Sequence, residues 1–203
     1  MGSRERMERL KAEVHKQILD AAMSIVKNEG CGALSIRKIA DTIEYSPPIV
    51  YSYFLNKEAV LIELSKRGFT MLINSIRQSL VIVTDPKERM EAMITAFLHF
   101  ATKENELYQL MYTVGTGVAD VGKAFPALAT FINLFREEMF QLVKEKTLTE
   151  ETFRCNYLIC MSFVHGLVAV NRYYKDIDPA MNNMVLKKAI GGIINTIELS
   201  WTF

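Results

Sequence analysis

Residues 34–61 read LSIRKIADTIEYSPPIVYSYFLNKEAVL, and the fold follows from this stretch. Ser35 precedes Ile36, Ile39, Ala40 and Ile43, apolar positions at helical spacing, so its hydroxyl reads as the cap of a short helix. A few residues on, Ser46 and Pro47 form a second start. The serine can cap, and the proline takes the first helical position, where its missing amide has no intrahelical partner anyway. This second helix is predicted over 47–54, with Val50 and Phe54, four apart, facing inward. Asn56 then caps a long helix running from Lys57 to about Val83. Two short helices joined by a tight turn and flanked by longer ones make a helix-turn-helix module.

Working outward, Met7, Leu10, Val14, Ile18, Ala21 and Ile25 recur at steps of three and four, which predicts one amphipathic helix over 4–29 ending at Gly30. On the other side, Asp85-Pro86-Lys87-Glu88 places a cap, a first-turn proline and a capping-box carboxylate in order, opening a helix to about Asn105. Further helices are predicted over 106–114, 126–146, 150–174 and 179–201, the last two introduced by Thr149 and Asp178. Residues 115–124, with Gly115, Gly117 and Gly122, read as a loop or broken helix. The expected fold is all-α with about nine helices. A three-helix module occupies residues 1–56, the helix from Lys57 is the connector, and a larger helical domain spans 57–203.

Composition agrees with that class. Half of the 203 residues are apolar and 23% are charged, and with only 10 Gly and 5 Pro the chain lacks the punctuation of a many-turned sandwich or barrel. Net charge is +1, so any grip on nucleic acid has to come from a local patch. The three cysteines, Cys31, Cys155 and Cys160, are far below the density of a disulfide scaffold and point to a reducing, cytoplasmic setting. The charged start (Arg4, Glu5, Arg6, Glu8, Arg9, Lys11) lacks the apolar core of a signal peptide. Residues 155–171 carry no Asp, Glu, Lys or Arg, but Asn156, Ser162, His165 and Asn171 fit a buried or subunit-interface helix better than a membrane span. No membrane association is expected.

The stretch 34–61 resembles the DNA-binding region of TetR-family transcriptional repressors. Ser35, Ile39-Ala40, Ser46, Val50-Tyr51, Phe54 and Lys57-Glu58 match that region's pattern in order and spacing. Two departures stand out: Glu44 and Tyr45 replace the turn glycine and a small aliphatic residue, and Pro47-Pro48 replaces a polar-Gly pair. The resemblance implies a bacterial, sequence-specific transcription regulator. Such a protein is a dimeric repressor bound to double-stranded, pseudo-palindromic operator DNA and released by a small-molecule inducer, with no enzymatic activity and no cofactor.

The residues expected at DNA are Ser35, Arg37, Ser46, Pro47, Pro48, Ile49, Tyr51, Ser52, Tyr53 and Lys57. A recognition helix must enter the major groove while donors on neighbouring elements hold phosphates. Arg37 can reach a guanine edge or a phosphate, and Lys57 sits at a helix N-terminus whose free amides hold one phosphate. Apolar groups such as Ile49 can touch thymine methyls, or Ile49 can belong to the core. Tyr51 can pack the module or donate to phosphate. The N-terminal Arg4, Arg6, Arg9 and Lys11 alternate with acids and read as an ordinary charged helix face.

Between residues 90 and 174 large aromatic and Met side chains abound, mostly as core at helical spacing, with enough adaptable bulk for an apolar ligand cavity. The expected lining is Phe97, Tyr108, Met111, Tyr112, Phe131 and His165, for a small, largely apolar inducer. His99 and His165 lack a second ligand at helical spacing, so no metal site is expected, and no catalytic constellation is recognisable. The last two helices display more apolar surface than a small bundle covers, which predicts a homodimer through them. Glu44 and the double proline motivate the alternative, a helical small-molecule-binding protein or enzyme whose helix-turn-helix no longer binds DNA.

Overall fold

The computed structural model describes residues 2–113, 126–143, 149–174 and 178–199, and within them the chain is all-α. Nine α-helices lie among the described residues: α1 (Ser3–Glu29), α2 (Ile36–Thr42), α3 (Pro47–Tyr51), α4 (Lys57–Leu80), α5 (Pro86–Lys103), α6 (Asn105–Thr113), α7 (Pro126–Val143), α8 (Glu150–Tyr173) and α9 (Pro179–Leu199). A single 3₁₀ turn, Cys31–Ala33, follows α1. The broken segment expected at 115–124 lies outside the described residues.

The helices start where side chains can satisfy their free amides. Ser35 Oγ accepts from Lys38 N at 3.1 Å, Asn56 Oδ1 from Ala59 N at 2.9 Å, and Asp85 Oδ1 from Lys87 N and Glu88 N at 3.0 and 3.1 Å. Thr149 Oγ1 accepts from Thr152 N at 3.2 Å and Asp178 Oδ1 from Ala180 N at 3.1 Å. Two helices end earlier than expected. Helix α3 stops at Tyr51 because Tyr53 N turns back to Val50 O at 3.0 Å, tightening the chain. Helix α4 stops at Leu80, before the β-branched run Val81, Ile82, Val83, of which Val81 and Ile82 are largely exposed.

The chain packs as two compact units, and the grouping differs from the motif-based division at Lys57. The first comprises Met1–Thr70 and Glu104–Pro126, the second Met71–Lys103 and Ala127–Phe203. In the first unit α1 packs against α2 and α6, around Ile18, Leu19, Ala22, Val26, Ile39, Val50, Leu64 and Leu107. Lys27 pairs with Glu104 at 2.5 Å, Arg67 with Asp20 at 2.7 Å, and Lys38 with Glu29. Gly68 on α4 is needed by its neighbour: a Cβ there would lie 2.6 Å from Met111 Sδ and 2.8 Å from its Cγ.

In the second unit α5 packs against α8 and α9, which also pack on each other. Its core contains Met90, Ile94, Phe97, Phe131, Phe135, Met139, Phe153, Cys160, Val164 and Ile193. One polar cluster sits inside it. Arg89 donates from Nε and Nη2 to the two carboxylate oxygens of Glu138, at 2.7 and 2.6 Å, and from Nη1 to Leu80 O and Val83 O at 3.1 and 2.8 Å. Glu138 is buried, with 3% of its surface exposed. The carboxylate raises the Arg89 pKa further, outweighing the opposite effect of burial.

Helix α8 leaves much apolar surface open. An 18-residue window within it has a mean hydropathy of 1.4, yet only 33% of that window is buried. Leu158, Ile159, Val170 and Tyr173 are exposed, as are Cys155, Ser162, Gly166 and Ala169. Met181, Met184 and Val185 on α9 are exposed too.

Candidate nucleic-acid interface

The turn between α2 and α3 decides whether the module keeps its shape. Glu44 takes the position where the sequence pattern favours glycine, and it adopts a left-handed backbone with φ of 58°. Around it Tyr45 N donates to Ala40 O at 2.9 Å and Glu44 N to Asp41 O at 3.3 Å. These two bonds are the pair that closes a helix in a Schellman motif, so α2 ends as a glycine-closed helix would. Glu44 holds this geometry against a steric penalty of about 1 kcal/mol. Glu44→Gly is therefore expected to stabilise the protein by about 1 kcal/mol, raising the melting temperature by roughly 2–4 °C. A thermal melt checks it, and a lower melting temperature would show that Glu44 is held by something better than its backbone. Tyr45, which replaces the small aliphatic residue of the pattern, is 37% exposed.

Helix α3 is anchored through one face. Val50 is fully buried and Phe54 nearly so, matching their predicted inward direction. His15 on α1 stacks on Phe54 with ring centroids 5.0 Å apart and lies 6.3 Å from the Tyr53 ring. That support joins residues distant in sequence and carries no local signal. Tyr53 and Pro47 are half-buried, while Ser46, Pro48, Ile49, Tyr51 and Ser52 are exposed. Ile49 is 36% and Tyr51 55% exposed. Ser46 makes no cap bond through its side chain, whereas Ser52 Oγ donates to Ile49 O at 2.6 Å.

The flanking cations come from α2 and α4. Arg37 is exposed, one residue into α2 from the first helical position, and Ser35 next to it is engaged in capping. Lys57 is half-buried at the first position of α4. The Cys31 thiol is pushed up by burial and by Glu106, and Lys57 partly offsets this, so the Lys57 charge is felt across the 3₁₀ turn.

The six residues expected to line a ligand cavity fall three and three into the two units. In the first, Tyr108 and Tyr112 lie 5.2 Å apart, Tyr112 meets Phe69 edge-on at 5.8 Å, and Met111 fills the space over Gly68. Burial pushes the Tyr108 hydroxyl up to about 12. In the second, Phe97 lies 5.6 Å from Phe131 and meets His165 edge-on at 6.3 Å. Burial lowers the His165 pKa below its ordinary 6.5, favouring a neutral ring. Met93, Ile94, Phe97, Phe131, Phe135, Met161 and Val164 surround an apolar cavity of ≈ 10 Å³, about the space one water needs. The expected lining left out Met93, Ile94, Phe135, Met161 and Val164, which share the periodicity of ordinary core.

Residues 18–64 match the model of the family described as bacterial regulatory proteins, tetR family. The chain is 29% identical over 112 residues to the HTH-type transcriptional activator FasR of Mycolicibacterium smegmatis, covering 55% of this chain and 51% of that protein. It is 29% identical over 124 residues to the HTH-type transcriptional repressor KstR of Mycobacterium tuberculosis, covering 61% of this chain and 54% of that one. The chain thus spans about half the length of the curated relatives it matches. Its fold resembles that of the transcriptional regulator FadR from Bacillus subtilis, solved in complex with stearoyl-CoA, with a TM-score of 0.68 over 88% of this chain and 98% of that one, at 18% identity. Capped α2, a Schellman-closed turn and an α3 anchored by Val50 and Phe54 all lie inside the segment that matches the tetR family of bacterial regulatory proteins.

Proposed function

We propose that this chain is a dimeric, ligand-responsive transcriptional regulator of the cytoplasm, a repressor that leaves a pseudo-palindromic operator when a small apolar inducer binds. The observation that carries the reading is α3: it is held from one side by Val50 and Phe54 and leaves Pro48, Ile49 and Tyr51 open to a duplex. Ser35, Arg37, Ser46, Pro47, Ser52, Tyr53 and Lys57 complete the proposed contact set. The retained turn at Glu44 supports DNA binding over the alternative of a helix-turn-helix that has lost it.

Dimerisation through α8 and α9 would cover their exposed apolar faces and set the spacing of two recognition helices. The ligand is proposed to enter beside Phe97, Phe131 and His165, and the FadR relative solved with stearoyl-CoA makes a long acyl chain the first compound to try. The ≈ 10 Å³ cavity holds no such chain as it stands. The ligand-bound protein must therefore pack differently, and that difference lets a ligand shift a population between two states. Helix α4, continuous from Lys57 to Leu80, is the proposed transmitter.

Fluorescence anisotropy with the protein's own upstream DNA across a salt series tests this. Sequence-preferring binding is expected, and Lys57→Ala should flatten the log-log salt slope by roughly one unit per head if it neutralises one phosphate. Absence of sequence preference at every salt concentration would defeat the reading. An unchanged slope would remove Lys57 alone.

A further inference from the structure

The exposed side of α3 lacks every side chain that reads bases by paired hydrogen bonds. Guanine is read by Arg or Lys on O6 and N7, and adenine by Asn or Gln on N6 and N7. Residues 45–55, YSPPIVYSYFL, contain no charged residue and no side-chain amide. Asn56, the next residue, is engaged as the cap of α4.

The backbone at the tip supplies no substitute. Pro47 and Pro48 have no amide hydrogen, and Ile49 N donates to Ser46 O at 3.0 Å. The usual array of free amides at a helix start is therefore missing at α3. Ser52 has its hydroxyl proton committed to Ile49 O and keeps only acceptor capacity. Beside the single hydroxyls of Ser46 and Ser52, which cannot make a paired contact with a base, what the helix offers a groove is the Pro48 ring, the branched Ile49 side chain, and the rings of Tyr45 and Tyr51.

The apolar feature of the major groove is the C5-methyl group of thymine. We propose that α3 reads its operator through thymine methyl groups, with Ile49 and Pro48 as the reading residues, so that the bases facing them are thymines. The inference rests on the DNA-binding reading above and adds the chemistry of the sequence bound. Arg37, exposed on α2, and Lys57 at the start of α4 supply the charge that holds the duplex, and the two tyrosine hydroxyls can donate to phosphate. Affinity and base selection are thus divided between different residues.

The test uses a duplex selected from a random library by the full chain. That duplex is then resynthesised with deoxyuridine for thymidine, which removes the methyl and leaves every hydrogen-bonding group in place. Each thymine facing Ile49 or Pro48 is expected to contribute about fourfold in affinity, the worth of one buried methyl. A symmetric pair then gives about 15-fold. In Ile49→Ala the difference between the two duplexes should shrink to below about twofold at the Ile49 position. Ile49 is 36% exposed, so the variant keeps its core, and the comparison on the unaltered protein does not depend on it. Equal binding of the two duplexes would overturn the inference and leave DNA binding standing. Failure of the library to yield any enriched sequence would defeat the DNA-binding reading itself, and this inference with it.

Discussion

Glu138→Ala is expected to lower the unfolding free energy by about 3–5 kcal/mol, the largest effect of any single truncation considered. Glu138 is 3% exposed and receives both forks of the Arg89 guanidinium, so its removal strands a cation that only two carbonyls partly satisfy. Taking both charges away should do far less harm. The double replacement Arg89→Met with Glu138→Leu is expected to recover most of the loss, because neither desolvated charge remains. It should stay roughly 1–2 kcal/mol below the parent, since Leu80 O and Val83 O lose their donor. Urea melts of the three proteins decide it. A single-variant loss below about 1 kcal/mol would show the pair to be as weak as a surface ion pair.

Gly166 makes the second large prediction because two substitutions at one site should act in opposite directions. It lies in the middle of α8, exposed, and among the described residues no atom beyond its own helix backbone lies within 4 Å of where a Cβ would stand. Alanine there should add up to about 1 kcal/mol to the stability of the isolated protomer, since glycine is the poorer helix former. Nothing among the described residues calls for a glycine, whereas a helix of a second copy crossing Ser162, Gly166 and Ala169 would. Gly166→Leu is therefore expected to leave the protomer folded and to break the proposed dimer. Operator affinity should then fall by roughly 10²–10⁴-fold, as two linked heads become independent. Analytical ultracentrifugation with anisotropy reads both effects. A Leu variant that dimerises as tightly as its parent would place the interface elsewhere.

The starts of the helices were legible because capping is local: Ser35, Asn56, Asp85, Thr149 and Asp178 each bond an amide two or three residues away. The module itself was legible for the same reason, its inward residues Val50 and Phe54 being four apart. Helix ends were less so. The stop of α4 at Leu80 rather than near Val83 involves Arg89, which binds carbonyls of that segment from the following helix. The Arg89–Glu138 pair spans 49 residues and no periodicity announces it. The seat of Met111 over Gly68 is equally non-local. Aromatic residues proposed for a ligand share their spacing with plain core, so pattern alone could not sort Phe97 and Phe131 from Phe135 or Met93.

The length of α4 gives the Arg89 clamp a mechanical meaning. Its 24 residues make a rod about 36 Å long, gripped at Leu80 and carrying Lys57 at the far tip. The clamp thus couples the Glu138 carboxylate directly to the C-terminal end of that rod.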